Sequence, residues 1–241
     1  MGQYKLDDTE FGTIIISTRR GMKSIRSNVR NGAIELHVPT SIRYDELCKV
    51  IDDNRTKLRQ MLAKSEETKL RYHEGQEINC LGGYTINICR QQRFPGKATF
   101  GSDTGNTLSV KIHTGMDFGD ERVTSLISQC LKLLAKRIAA SVLPRFAENI
   151  ATEIGAKPAK FVIGGGLRKL GHCTAKGEIQ LSCNLVFLPK HLAKFIILHE
   201  LAHLTHFNHS PQFHNLLNQY CNGNEKILDS ELKHFRWPVK L

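Results

Sequence analysis

The sequence predicts a mixed α and β fold in which a strand-rich N-terminal half, carrying one helix, gives way to a half built around two strong helices. Three observations predict it. Asn31-Gly32 sits between two short apolar-alternating segments, the signature of a type I′ hairpin. Residues 120–143 place Val123, Leu126, Ile127, Cys130, Leu133, Leu134 and Ile138 on one helical stripe. An apolar segment after Pro189 then runs into five of the chain's 11 histidines.

The elements follow in order. A two-residue turn at Asn31-Gly32 pairs Arg30 with Ala33, Val29 with Ile34, Ser27 with Leu36 and Ile25 with Val38. Arg26, Asn28 and Arg30 then line the opposite face. With Arg19, Arg20 and Lys23 upstream, residues 18–30 form a basic patch free of acids, readable as a phosphate-binding surface or as a solvated sheet face. Residues 41–63 follow a helical period through Leu47, Val50, Ile51, Leu58, Met61 and Leu62. A second hairpin is expected to turn at Gly82-Gly83, with short strands near 97–101 and 107–113. Pro144 is expected to kink or restart the helix of 120–143. Strands near 160–163 and 178–187 precede the helix that begins after Pro189.

Size and composition bound the function. The 241 residues suffice for one large domain or two small ones, and the boundaries read from the sequence are 1–116, 117–222 and a charged tail, 223–241, that contains the sole tryptophan, Trp237. No apolar run approaches the roughly 18 residues of a membrane span. The opening residues MGQYKLDDTEFG lack an apolar signal core, and position 6 is Leu rather than Ser or Thr, so neither secretion nor myristoylation is expected. Seven scattered cysteines with no CxxC spacing fit a reducing, cytoplasmic setting. A net charge of +11 makes nucleic acid a candidate partner through the basic surface.

The histidine cluster, HELAHLTHFNHSPQFH, carries the chemistry. His199 and His203 are four residues apart, so on a helix both imidazoles project from one face, as two ligands of one Zn²⁺ must. Glu200 lies about 100° round the helix, placed to act as a general base without ligating the metal. Random placement of the chain's His and Glu would produce HExxH only about 0.03 times. A third ligand is needed. His206, a further turn along, would sit about 10 Å from His199 along the axis, out of reach. Beyond the helix, Asn208 and Ser210-Pro211 are turn formers that let His209 fold back toward the metal. His209 is therefore the favoured third ligand, ahead of His206 and of His214, which should begin the next helix near a Ser210 cap.

HELAHLTHFNHSPQF resembles the signature of the YgjP-like (DUF45) zinc metallopeptidases, related to the SprT and Wss1/WLM proteases, and shares the histidine spacing of the metzincins. KLGHCTAKGEIQLSCNLVFLP and RRGMKSIRSNVRNGAIELHVP resemble further stretches of that family, so the likeness runs from about residue 11 to 222. The resemblance implies an α+β fold with a zincin-like core over 117–222, the HExxH helix packing on a small sheet, and zinc held by His199, His203 and His209 with Glu200 as base. The chain departs from the family at Leu170, His172 and Ser182, where Trp, Ser and Asn are usual; this segment is expected to line the cleft as an edge strand able to pair with an extended peptide. Cys173 reads as a buried small residue, and Tyr220 and His214 are candidate oxyanion stabilisers. The function read from all this is a zinc metallopeptidase acting on protein or peptide. Two alternatives stand beside it: a basic nucleic-acid-associated protein with non-catalytic zinc, and a nucleoside triphosphate pyrophosphatase, for which no P-loop or acidic Mg²⁺ cluster is present.

Overall fold

The structure, a computed structural model, describes residues 2–30, 32–67, 69–165 and 169–240. These form two compact units that divide at Lys69/Leu70. The sequence-derived boundary at 116/117 falls inside the second unit, in the segment that joins its first sheet to a long helix.

The N-terminal unit holds strands β1 (Gly2–Asp8), β2 (Gly12–Arg19), β3 (Arg26–Arg30) and β4 (Ala33–Pro39), then helices α1 (Tyr44–Asp53) and α2 (Arg55–Glu67). The sheet order is β1-β2-β4-β3, antiparallel at both edges and parallel between β2 and β4. The hairpin has the expected register, Arg30 opposite Ala33 and Ser27 opposite Leu36. Asn31, the first residue of the expected turn, lies outside the described residues; Gly32 adopts the positive φ, 75°, that such a turn demands. Ile14, Ile16, Ile34, Leu36 and Val38 bury one face of the sheet against Leu47, Ile51 and Leu58 of the helices.

The single helical period of 41–63 is realised as two helices. Asn54 caps α1 outside the helical region, at φ −113°, and its Nδ2 donates to the Val50 carbonyl at 2.8 Å. An asparagine side chain that satisfies the backbone locally competes with the helix at that point.

The second unit opens with β5 (Glu77–Cys80), β6 (Tyr84–Gln91), β7 (Ala98–Ser102) and β8 (Thr107–His113), in the order β5-β6-β8-β7. Strand order and direction repeat those of the first sheet: antiparallel, parallel, antiparallel. Its β5–β6 turn spans Leu81–Gly83, where Gly82 and Gly83 both take φ of 73°. A β-carbon at Gly82 would lie 2.6 Å from Val142 Cγ2, so that position admits glycine for space as well as for conformation.

Helix α3 (Glu121–Glu153) packs on this sheet. It continues through Pro144 for nine further residues rather than stopping or restarting there. Leu143, Ala147, Ile150 and Ala151 stay buried on its core stripe, and that packing outweighs the roughly 3 kcal/mol cost of an interior proline.

A three-stranded sheet follows: β9 (Lys160–Gly164), β10 (Gly171–Cys173) and β11 (Glu178–Ser182), ordered β10-β11-β9. The strand expected over 178–187 ends at Ser182, whose side chain accepts from the Asn184 N–H and starts a 3-10 turn over Cys183–Phe187. Every residue of that turn is buried, and a short, wholly buried apolar run carries no periodicity that separates strand from helix. Helices α4 (Lys190–Ala202), α5 (Pro211–Tyr220) and α6 (Glu225–His234) complete the unit. Residues 235–240 are tied down where Tyr72 donates to the Pro238 carbonyl and Ser128 Oγ accepts from the Lys240 N–H. Among the described residues no helix is long and apolar enough to cross a membrane. All seven cysteines are free thiols.

Candidate metal centre

α4 is apolar on nearly every side, with Leu192, Phe195, Ile197, Leu198 and Leu201 buried, as befits a helix enclosed by its own unit. It ends sooner than the histidine spacing suggests. Ala202 is the last helical residue, and His203 caps the helix while retaining helical dihedrals (φ −65°, ψ −17°). That is enough to keep His203 one turn above His199, with ring centroids 4.9 Å apart. The next turn is tightened by i→i−3 bonds from Leu204 N to Leu201 O and from Thr205 N to Ala202 O, and the helix has ended before His206. Its contribution is through the main chain: His203 Nδ1–H donates to the His206 carbonyl at 3.0 Å, which leaves Nε2 of His203 as the free nitrogen.

The loop then returns. Ser210 accepts from the Phe213 N–H and, with Pro211 in the first turn, starts α5. This folds His209 back until its Nε2 lies 3.1 Å from His199 Nε2. One nitrogen from each of His199, His203 and His209 falls within 4.8 Å of the others, the one such cluster of metal-ligating side chains among the described residues. Phe213, fully buried, forms the floor, its ring centroid 4.5 to 4.9 Å from each of the three imidazoles. Sequence reasoning passed over Phe213, although it closes the motif as the apolar residue three beyond the Ser210 cap.

Burial, then the neighbouring imidazoles His203, His209 and His214, push His199 down to about 4. His203 is lowered by burial as well, with His209 and His172 adding to it and its bond to the His206 carbonyl opposing it. Both rings are therefore neutral near pH 7, the protonation state in which imidazole ligates a metal. Three imidazoles converging on one point, one of them oriented through its second nitrogen, fit a divalent ion that prefers nitrogen donors.

Glu200 is 6% exposed. Burial raises its carboxyl to about 7, against the lowering effect of the Cys173 N–H and the Lys169 charge. Strand β10 passes directly over it: a β-carbon on Gly171 would lie 2.4 Å from Glu200 Oε1. Gly171 is thus the residue that lets a sheet edge approach the carboxylate, a role that only the folded chain reveals. Cys173 is buried, its thiol raised by that burial and by Glu200, as expected of a small packing residue. His172, between them, is exposed. His214 is engaged elsewhere, its Nδ1 2.6 Å from Glu225 Oε1, and Tyr220 ends α5 half-buried against the core.

A family model described as YgjP-like, metallopeptidase domain, matches residues 23–235. The chain belongs to the YgjP-like metallopeptidase family. Membership makes it a peptidase that works with a metal ion and acts on protein or peptide. Among solved structures it is similar to the metallopeptidase zymogens jannalysin of Methanocaldococcus jannaschii (23% identity over 37% of this chain and 91% of that one, TM-score 0.33) and abylysin of Pyrococcus abyssi (22%, 40% and 97%, TM-score 0.34). No curated protein matches the chain.

Proposed function

We propose that this YgjP-like metallopeptidase is a zinc enzyme in which His199, His203 and His209 hold the metal and Glu200 is the general base. The observation that carries the reading is the convergence of three imidazole nitrogens within 4.8 Å, one helical residue away from a buried carboxylate. Zinc, when bound there, supplies a Lewis acid that polarises the scissile carbonyl and acidifies water. Glu200 takes the proton of the attacking water and passes it to the leaving amine nitrogen. A carboxyl raised to about 7 exchanges a proton readily in both directions near neutral pH. His203 is held for its task by its Nδ1–H bond to the His206 carbonyl. β10 is an edge strand, on whose outer side an extended peptide would lie beside Glu200. The zincin-like core in this reading is residues 117–222, from α3 through the three-stranded sheet to α5.

The test is metal content by elemental mass spectrometry together with peptide hydrolysis, for the native chain, Glu200→Gln and His209→Ala. About one zinc per chain in the native protein and in Glu200→Gln, with hydrolysis lost only in the variants, is the expected result. Full hydrolysis by Glu200→Gln would remove the assigned base, and undiminished zinc in His209→Ala would remove the third ligand.

A further inference from the structure

The two four-stranded sheets have one topology and two very different open faces. Side chains alternate along a strand, so register decides what each face shows. In the N-terminal sheet Ile14, Ile16, Ile34, Leu36 and Val38 face the helices. The cross-strand rows Lys5–Ile15–Glu35–Asn28 and Gln3–Ser17–His37–Arg26 therefore lie on the other side, flanked by Arg19 and Arg30. Lys5, Arg19, Arg26 and Arg30 are exposed there, and Arg20 and Lys23 are exposed in the segment from β2 to β3.

None of these six cations makes an ion pair among the described residues. The arginines of the helical side behave otherwise: Arg43 pairs with Asp45 and Glu46, Arg55 with Asp8, Glu10 and Asp52, and Arg59 with Glu10. Two carboxylates share the open face. Asp7 accepts from Thr13 Oγ1 at 3.0 Å. Glu35 is only 7% exposed and accepts from Ser17 Oγ at 3.1 Å and Asn28 Nδ2 at 3.5 Å, with His37 Nε2 3.9 Å from it.

The second sheet supplies the control. Its equivalent face shows Asn87, Gln91 and Ser109 with Glu77, and its cation Lys111 is paired with Asp103 at 3.1 Å. A sheet of this order and direction is therefore built with its Lys111 paired on that face, and the unpaired cations of the first are not required to build or solvate it.

We propose that the open face of the N-terminal sheet binds the phosphate backbone of duplex nucleic acid. Exposed cations without protein partners are the groups that neutralise phosphates and release counterions. The register places no Phe, Tyr or Trp on this face, so it lacks the stacking platform on which single-stranded bases are held. Arg26 and Arg30 stand about 13 Å apart along β3, and Lys5 lies about 14 Å across the sheet from that strand. That spread matches the roughly 12 Å width of a duplex major groove, so the cations reach phosphates on its two sides. Contacts of this kind position a protein without reading sequence.

The proposal stands apart from the peptidase reading and is tested on the full chain by fluorescence anisotropy with a labelled random-sequence DNA duplex across a salt series. R19Q/R26Q/R30Q is expected to bind at least about tenfold more weakly, with the slope of log affinity against log salt reduced by about 3. R43Q/K49Q/K57Q removes the same charge from the helical side of the unit and is expected to change affinity by less than about twofold. Far-UV melting checks both triples; if the sheet variant unfolds, R26Q and R30Q singly should each lower the slope by about 1. Equal weakening by the two triples would reduce the effect to net charge and overturn the proposal. So would tighter binding of single-stranded poly-dT than of duplex, or binding to phosphatidylcholine–phosphatidylserine vesicles with none to duplex.

Discussion

The first and second sheets differ in what covers them and in what their open faces carry, though their strands run in the same order and directions. Even the burial along the fourth strand agrees: in β4 and β8 the second, third, fourth and sixth residues are buried, with Glu35 and Ser109 as the buried polar third. Both sheets bury an Ile-x-Ile pair on the strand parallel to it, Ile14/Ile16 and Ile86/Ile88. The strands themselves show no repeat as letters, because topology depends on the alternation of apolar and polar positions and on where the turns fall, not on residue identity. Once the core-facing positions are apolar, the open face is free to take whatever charge its surroundings or function favour. In the first sheet it carries unpaired cations; in the second it is polar, with Lys111 paired to Asp103.

Several outcomes can break or sharpen this contrast. The largest effect is expected in the second unit alone. His209→Ala should reduce metal content from about one per chain to near zero and peptide hydrolysis by at least about 100-fold, while R26Q/R30Q leaves both unchanged; a comparable loss in the sheet variant would end the separation of roles. Gly171→Ala should also depress hydrolysis at least about tenfold, since its β-carbon would displace Glu200, and metal content should survive.

The two hairpin turns come next. Gly82→Ala combines positive φ with a 2.6 Å approach to Val142, whereas a β-carbon at Gly32 meets only Glu66 Oε1, at 4.0 Å. Thermal unfolding should therefore show a cost of about 2–3 kcal/mol for the former and about 1 kcal/mol for the latter. Equal costs would mean that the two turns are not constrained differently.

The smallest effect is a pH dependence confined to the first unit. The bond from Arg55, opposed in part by burial, holds Asp8 down to about 2, below its usual 3.8. A depressed carboxyl stabilises the fold in full above about pH 4, and the contribution is lost as pH falls through about 2. For a pair so near the surface it is of order 1 kcal/mol. Asp8→Asn should flatten that acid limb, and an unchanged limb would assign it to other carboxylates.

Much of this was legible in the chain because it depends on local spacing. The hairpin register follows from Asn31-Gly32 and alternation, and the strands at 98–102 and 107–113 from the same alternation. His199, Glu200 and His203 share one helical turn at any position in a fold, and the turn formers at 208–211 indicate that His209 could return to them. Where local signals compete with packing, the sequence was a weaker guide. Pro144 advertises a break that the buried stripe of Leu143, Ala147 and Ile150 overrides. Asn54 breaks a helix whose apolar period continues past it. The apolar run 183–187 fits a strand as well as the 3-10 turn it forms.

What the sequence by itself determined, then, is the set of short-range relations: which residues alternate, which share a helical face, and which turns can close. Only the tertiary structure decided that Gly171 must be glycine so that β10 can cross Glu200, that Phe213 floors the three imidazoles, that His206 acts through its carbonyl, and that two unlike stretches of chain form the same sheet. The physical reason is the same in each case. These relations join residues far apart in the chain through packing and steric contact, and no periodicity along the chain encodes which distant surfaces will meet.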